Sequence, residues 1–375
     1  MNTHTKEPLI RVLKRDELPF WKALCLRLIG ILLSLIVCAV FIFLVTHSDP
    51  LRVYKSLVDG AVGTGRRTWN TVRDTMILLA VALGITPAFR MRFWNIGAEG
   101  QILVGGIATA AVMRYFGEGL PPVLLFTLMI LVSILAGFVW GLIPAFFKAH
   151  WGTNETLFTL MMNYIAIQLT AFFSIVWEAK KGSGTIGTIN QKTQAGWIGT
   201  SFLPGVFGKF NYSINVFIIL SLTVFIYVYM QYTKHGYEIA LVGQSENTAR
   251  YAGINVKHVI LRTMALSGSI CGFTGFLLVS GSSHTISTNT AGGRGFTAIV
   301  VSWLAKFNPF LMILISFFLV FMGNGATQIA SEFQLNESAS EVITGIILFF
   351  ILGSEFFVRY RLVSGRHHAV RADHS

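Results

Sequence analysis

Apolar runs of about 20 residues recur from one end of this chain to the other, separated by short polar stretches. A run of that length crosses the hydrocarbon of a bilayer as one α-helix, which satisfies its own backbone N–H and C=O groups where no water can. The sequence therefore predicts an all-α, polytopic membrane protein with about ten transmembrane helices. Composition agrees: of 375 residues, 53% are hydrophobic and 12% charged, against roughly 25% charged in soluble domains. A large soluble core is excluded.

The runs fall at about 23–45, 72–90, 97–114, 122–147, 156–177, 212–231, 263–281, 295–305, 309–330 and 340–358. The eighth is short and Gly-led, and reads as a half-span or a broken one. The formal charge of +12 suggests nucleic acid at first sight. The Lys and Arg, however, sit between spans and at both ends, as the positive-inside rule and contact with anionic lipid require. No nucleic-acid partner is expected. Basic clusters in the N-terminal segment 1–22, in the 232–262 loop and in the tail 359–375 place both termini in the cytoplasm. Arg66, Arg67, Lys180 and Lys181 dilute that asymmetry. An even number of spans returns the tail to the side where the chain starts. The first run follows 22 mixed residues and has no small-x-small cleavage site, so it is expected to stay as an anchor. Cys25, Cys38 and Cys271 lie in apolar runs and read as small hydrophobes.

Two segments on the outer side are long. Residues 46–71 carry Leu51, Val53, Tyr54, Leu57, Val58 and Val62, the stripe of an interfacial helix. Residues 178–211 are rich in Gly, Thr and Lys and read as an irregular loop. ETLFTLMMNYIA at 155–166 and EVITGIILFFIL at 341–352 share a start and an apolar course, which fits an inverted repeat around a central pathway.

The polar residues inside this apolar frame are few and grouped. In FWNIGAEGQILVGGIATA (93–110), Asn95, Glu99 and Gln101 stand between two long apolar runs. An ionisable group there is costly unless it faces the protein interior or a solute path. The flanking glycines allow close approach of backbone or solute. Glu99→Gln is expected to be milder than Glu99→Leu, since a bonded amide can replace a carboxylate where its charge is not used. Phe93 and Trp94 adjoin the knot and are the aromatic side chains nominated to stack on a base.

This segment resembles the NIGAEGQ signature of permease subunits in bacterial ABC importers for nucleosides and simple sugars, within the branched-chain amino acid and ribose permease superfamily. Two further segments carry the same resemblance. In GYEIALVGQSENTARYAGI the matching residues are Gly236, Ala240, Gly243, Asn247, Ala249, Arg250, Gly253 and Ile254, in the position of the family's coupling loop. Ser245 can cap a short helix there, with Ala249, Tyr251 and Ala252 as its small apolar face. Ala249 and Gly253, four apart, are expected to share a face as a knob that seats in a partner's cleft. In GTNETLFTLMMNYIA, Glu155, Thr159 and Asn163 form one polar stripe on a helix, equally suited to bond neighbouring helices or to line a path. SGSSHTISTNTAGGRGFTAIVVSWLAK (280–306) resembles the family's Gly-Phe-Thr-Ala-Ile segment. Its His284 and Asn289 join Asn95, Glu99, Gln101, Glu155, Thr159 and Asn163 as pathway candidates.

No G-x-x-x-x-G-K-[ST] is present, so ATP must be bound by another polypeptide; no cofactor or metal is expected in this chain. There is no HExxH, GxSxG or paired-His set either, so the chain reads as a transport subunit and not an enzyme. The resemblance implies one permease domain over 1–375 with a type II ABC importer-like fold in the bacterial plasma membrane. It also implies three protein partners: a second homologous permease, a cytoplasmic ATPase with two nucleotide sites, and an extracellular substrate-binding lipoprotein. An ion-coupled secondary transporter remains an alternative, although Glu99, Glu155 and Glu341 are few acidic residues for it. An integral membrane transferase is the other, and lacks a catalytic carboxylate or His pair.

Overall fold

The computed structural model describes residues 10–15, 18–46, 49–198, 213–335 and 337–364. The first nine residues, the 199–211 part of the long loop and the tail beyond 364 lie outside the described residues. In chain order the elements are β1 (Ile10–Lys14), α1 (Phe20–Thr46), α2 (Pro50–Val62), α3 (Gly65–Arg90), α4 (Ala98–Phe116), α5 (Pro122–Trp151) and α6 (Glu155–Val176). They continue with α7 (Ser213–Tyr232), α8 (Lys234–Gln244), α9 (Glu246–Tyr251), α10 (Val256–Leu278), α11 (Arg294–Leu304), α12 (Pro309–Glu332), α13 (Glu337–Arg359) and β2 (Tyr360–Ser364).

Each of the ten apolar runs forms a helix, but the helices are not alike. Eight are long and apolar enough to cross a membrane. α4 has 19 residues, with Glu99 in its first turn and Arg114 in its last. α11 has 11 residues, about 16 Å at 1.5 Å per residue, or roughly half a hydrocarbon core. The eighth run is a half-helix because Gly292 and Gly293, both at positive φ, end the preceding loop where a full span would have begun.

The chain divides into two compact units, residues 1–67 with 321–375, and residues 68–320. In the first, α1 lies along α13. Glu355, buried, takes Arg27 at 3.0 Å and Arg359 at 3.2 Å. β1 pairs antiparallel with β2, Ile10 opposite Ser364 and Lys14 opposite Tyr360. The start of α1 and the end of α13 are therefore tied together. Among the described residues this ribbon is the β element. The stripe in 46–71 forms the helix α2: Asp49 caps it at the Leu51 amide, 3.0 Å away, and Pro50 opens it. It buries Val53, Leu57 and Ala61 and exposes Leu51 and Val58.

The second unit is built on backbone contact. α4, α5 and α10 pack through glycines: Gly137 and Gly141 on α5 face Gly268 and Gly272 on α10, and Gly105 on α4 faces Gly272. A Cβ at Gly272 would strike the Ser133 carbonyl. Without a hydrophobic drive between helices in lipid, such small-residue seams supply the van der Waals contact that holds them. The stretch 178–198 has no helix or strand; Glu178 holds its turn by accepting the Gly182 and Gly184 amides at 2.8 and 3.2 Å.

Candidate translocation and coupling sites

The knot lies inside the second unit, and its polar groups are bonded to the chain itself. Asn95, fully buried, donates to Ser267 Oγ on α10 at 3.0 Å, accepts the Gly97 amide at 3.1 Å and exchanges amide contacts with Gln101 at 3.3 and 3.4 Å. From α6, Thr159 Oγ1 accepts the Ile96 amide at 3.2 Å. Asn163 accepts the Gly100 amide at 2.8 Å and donates to the Ile96 carbonyl at 2.9 Å. The stripe foreseen on α6 thus clamps the irregular 94–100 backbone, whose groups would otherwise be unpaired in a dry interior. Glu155 stands apart from it, paired with Lys148 Nζ at 2.8 Å across the α5–α6 turn.

Glu99 has a more specific task. Its Oε1 accepts the Gly293 amide and its Oε2 the Gly295 amide, each at 2.7 Å. A carboxylate therefore closes the head of α11, where the orphan N–H groups and the helix dipole both favour negative charge. Both oxygens are engaged, so an amide, with one acceptor and two donors, is not an equivalent. α11 then runs beside α3: Arg294 reaches Asp74 at 3.7 Å, while Ser302 donates to the Ala82 carbonyl at 3.2 Å. Trp94 stacks on Trp303 at 5.6 Å, both partly exposed, whereas Phe93 is buried.

The loop that leads into α11 begins with a π-helical turn, Val279–Ser283. His284 follows at φ 52°, its carbonyl accepting the Ile189 amide at 2.9 Å and its ring stacked on Trp197 at 3.8 Å. Burial first, and the Arg73 guanidinium second, push its pKa down to about 4, so the ring is neutral near pH 7. Asn289 is exposed. Of the pathway candidates, then, Asn95, Glu99, Gln101, Thr159 and Asn163 come together at one site and are buried there. His284, Asn289 and Glu155 lie elsewhere in the unit.

The 232–262 loop folds as two helices. Thr233 caps α8 at the Gly236 amide and Ser245 caps α9 at the Thr248 amide, each at 3.2 Å. Gly236 is buried against the carbonyls that end α7, and Gly243 against the Arg90 carbonyl that ends α3; neither place has room for a Cβ. Glu238 on α8 pairs with Arg262 on α10 at 3.0 Å. The loop is thereby fixed to three helices, and its outward face is Asn247, Arg250 and Tyr251, the last 93% exposed. Ala249 is fully buried. Gly253 lies beyond the end of α9 at φ 77°, where the chain turns and Ile254 follows. The two therefore share no helical face, and of the apolar face expected on this helix Ala249 is buried while Tyr251 is exposed.

A family model for the branched-chain amino acid transport system / permease component matches residues 68–352. The chain belongs to that family. It is 28% identical to the glucose ABC transporter permease protein TsgB13 of Haloferax volcanii, over 93% of this chain and 92% of that one. It is 26% identical to the guanosine ABC transporter permease protein NupP of Bacillus subtilis, over 90% and 95%. To the nucleoside ABC transporter permease protein NupB of Lactococcus lactis it is 24% identical, over 86% and 87%. Each of these organisms has a second permease of the same series that matches less of this chain: TsgC13 over 65%, NupQ over 62% and NupC over 74%. The chain is a multi-pass membrane permease subunit of an ABC importer, a transport component and not an enzyme, and the glycine-seamed unit with its knot and loop is the greater part of what the family model covers.

Proposed function

We propose that this permease is one of two different permeases in an importer for a nucleoside or a simple sugar, and that the solute passes between the two. The observation that carries the reading is likeness over nearly the whole chain to permeases named for glucose, guanosine and nucleosides. The fuller match to TsgB13, NupP and NupB than to TsgC13, NupQ and NupC supports a partner of the second kind and not a second copy.

In this reading both termini are cytoplasmic in the plasma membrane, the whole chain acts as one permease domain, and the α8–α9 loop docks on a cytoplasmic ATPase with two nucleotide sites. An extracellular lipoprotein delivers solute at the other face. The crossings number ten, the eighth a broken one at 295–305, and an even number suits the pairing of β1 with β2. An inverted repeat relates 155–166 to 341–352. Asn95, Gln101, Thr159 and Asn163 shape the pathway by holding the 94–100 backbone, while the exposed Asn289 is free to meet solute.

The test is reconstitution in liposomes with labelled guanosine, uridine or glucose, with and without the second permease, the ATPase and ATP. Uptake is expected only with all of them. ATP-independent uptake by the single chain would overturn the reading in favour of an ion-coupled carrier.

A further inference from the structure

The β1–β2 ribbon joins parts of the chain that the sequence keeps at opposite ends. Arg15, Lys22 and Arg27 stand at the start of the chain, and Arg359 and Arg361 arrive from the other end. Glu355 is already shared by Arg27 and Arg359, and the Arg15 amide donates to the Arg359 carbonyl at 2.8 Å. The patch therefore carries excess positive charge. It is also apolar at the surface: Val12, Leu13 and Trp21 are 53%, 42% and 72% exposed. Trp21 opens α1, whose next turns expose Leu28, Ile29 and Leu32 and so form a face suited to lipid. A Trp at the end of such a face sits at headgroup level, with exposed basic side chains within reach of phosphates. A soluble acidic partner would match the charge but leave the apolar residues in water.

We propose that the paired ends of the chain form a binding site for anionic phospholipid, with Arg15, Lys22 and Arg361 on the headgroup phosphates and Val12, Leu13 and Trp21 at the acyl boundary. The purified full chain, in phosphatidylcholine nanodiscs with or without phosphatidylglycerol, provides the test. Phosphatidylglycerol is expected to raise the melting temperature at low salt and less so at high salt. Changing Arg15, Lys22 and Arg361 together to Gln should weaken phosphatidylglycerol binding roughly a hundredfold, at about one basic contact's worth per residue. Brominated phosphatidylglycerol should quench tryptophan fluorescence more than brominated phosphatidylcholine, and Trp21→Phe should remove that difference, which keeps the proposal testable if the triple variant does not fold. Equal behaviour in the two lipids, or an unchanged preference in either variant, overturns it.

Discussion

The knot at 93–101 and the loop at 234–254 carry the two strongest motifs in the chain, and they use their polar residues in opposite directions. In the knot, Asn95, Glu99 and Gln101 turn inward and spend their hydrogen bonds on the chain's own backbone and side chains. In the loop, Asn247 and Arg250 turn outward beside Tyr251, while the small Ala249 is what the chain buries. The difference follows from the surroundings. Between helices in hydrocarbon, a broken backbone needs polar side chains to complete it. At the water-facing end the helices complete themselves through Thr233 and Ser245, which leaves side chains available to a partner. Substitutions in the two regions should accordingly separate stability from coupling.

The largest effect is expected at Glu99. Glu99→Leu leaves the Gly293 and Gly295 amides without acceptors at a buried helix head, a cost of about 2–6 kcal/mol at about 1–3 kcal/mol per buried unsatisfied group. Glu99→Gln keeps one acceptor and points an NH₂ at an N–H, for about 1–3 kcal/mol. Thermal unfolding of the purified chain measures both, and uptake should fall in the same order. Wild-type stability in the Leu variant would mean that the carboxylate does not hold α11.

Ala249→Trp comes next. Because Ala249 is packed inside the chain, the large side chain should lower stability by about 1–3 kcal/mol, in the isolated chain and before any ATPase is added. A variant of unchanged melting temperature that nevertheless uncouples the ATPase would instead put Ala249 in the docking face.

A smaller effect is expected from pH at His284. Its folded pKa, about 4, lies below the ordinary value near 6.5. As pH falls below about 6.5 the unfolded chain takes up a proton that the folded chain refuses, so stability declines between about 6.5 and about 4. His284→Asn should flatten that part of the stability profile. Arg73, Asp74 and Arg294 lie in the same region, and a decline that survives the substitution would belong to Asp74 or to another group.

Much of this arrangement is legible in the residues. The apolar runs mark ten of the thirteen helices among the described residues, Ser245 marks the start of α9, and the stripe in 46–71 marks α2, because those signals act over a few neighbouring residues. What cannot be read is pairing at long range. Nothing local links Glu99 to Gly293 and Gly295, or Ile10 to Ser364. Direction is equally hidden for small residues: Ala249 fits an exposed knob and a buried contact alike, and only the packing of α8 and α9 chooses.

Tyr251→Ala should have the smallest effect on stability and the clearest effect on function. The side chain is 93% exposed, so its removal forfeits little burial and should leave the melting temperature within about 0.5 kcal/mol of wild type. A projecting aromatic ring on a short helix that follows α8, itself fixed to α3, α7 and α10, is, however, the shape that a cleft in a moving partner can grip, and aromatic anchors of this kind dominate binding energy. The expected outcome is a folded permease that binds the ATPase at least tenfold more weakly and no longer couples ATP hydrolysis to uptake, measured by co-purification and by uptake in liposomes. Asn247→Ala and Arg250→Ala should weaken binding less, as rim contacts do. If Tyr251→Ala binds and couples normally while Ala249→Trp does not, the inward and outward faces of α9 are exchanged and the contrast between knot and loop fails.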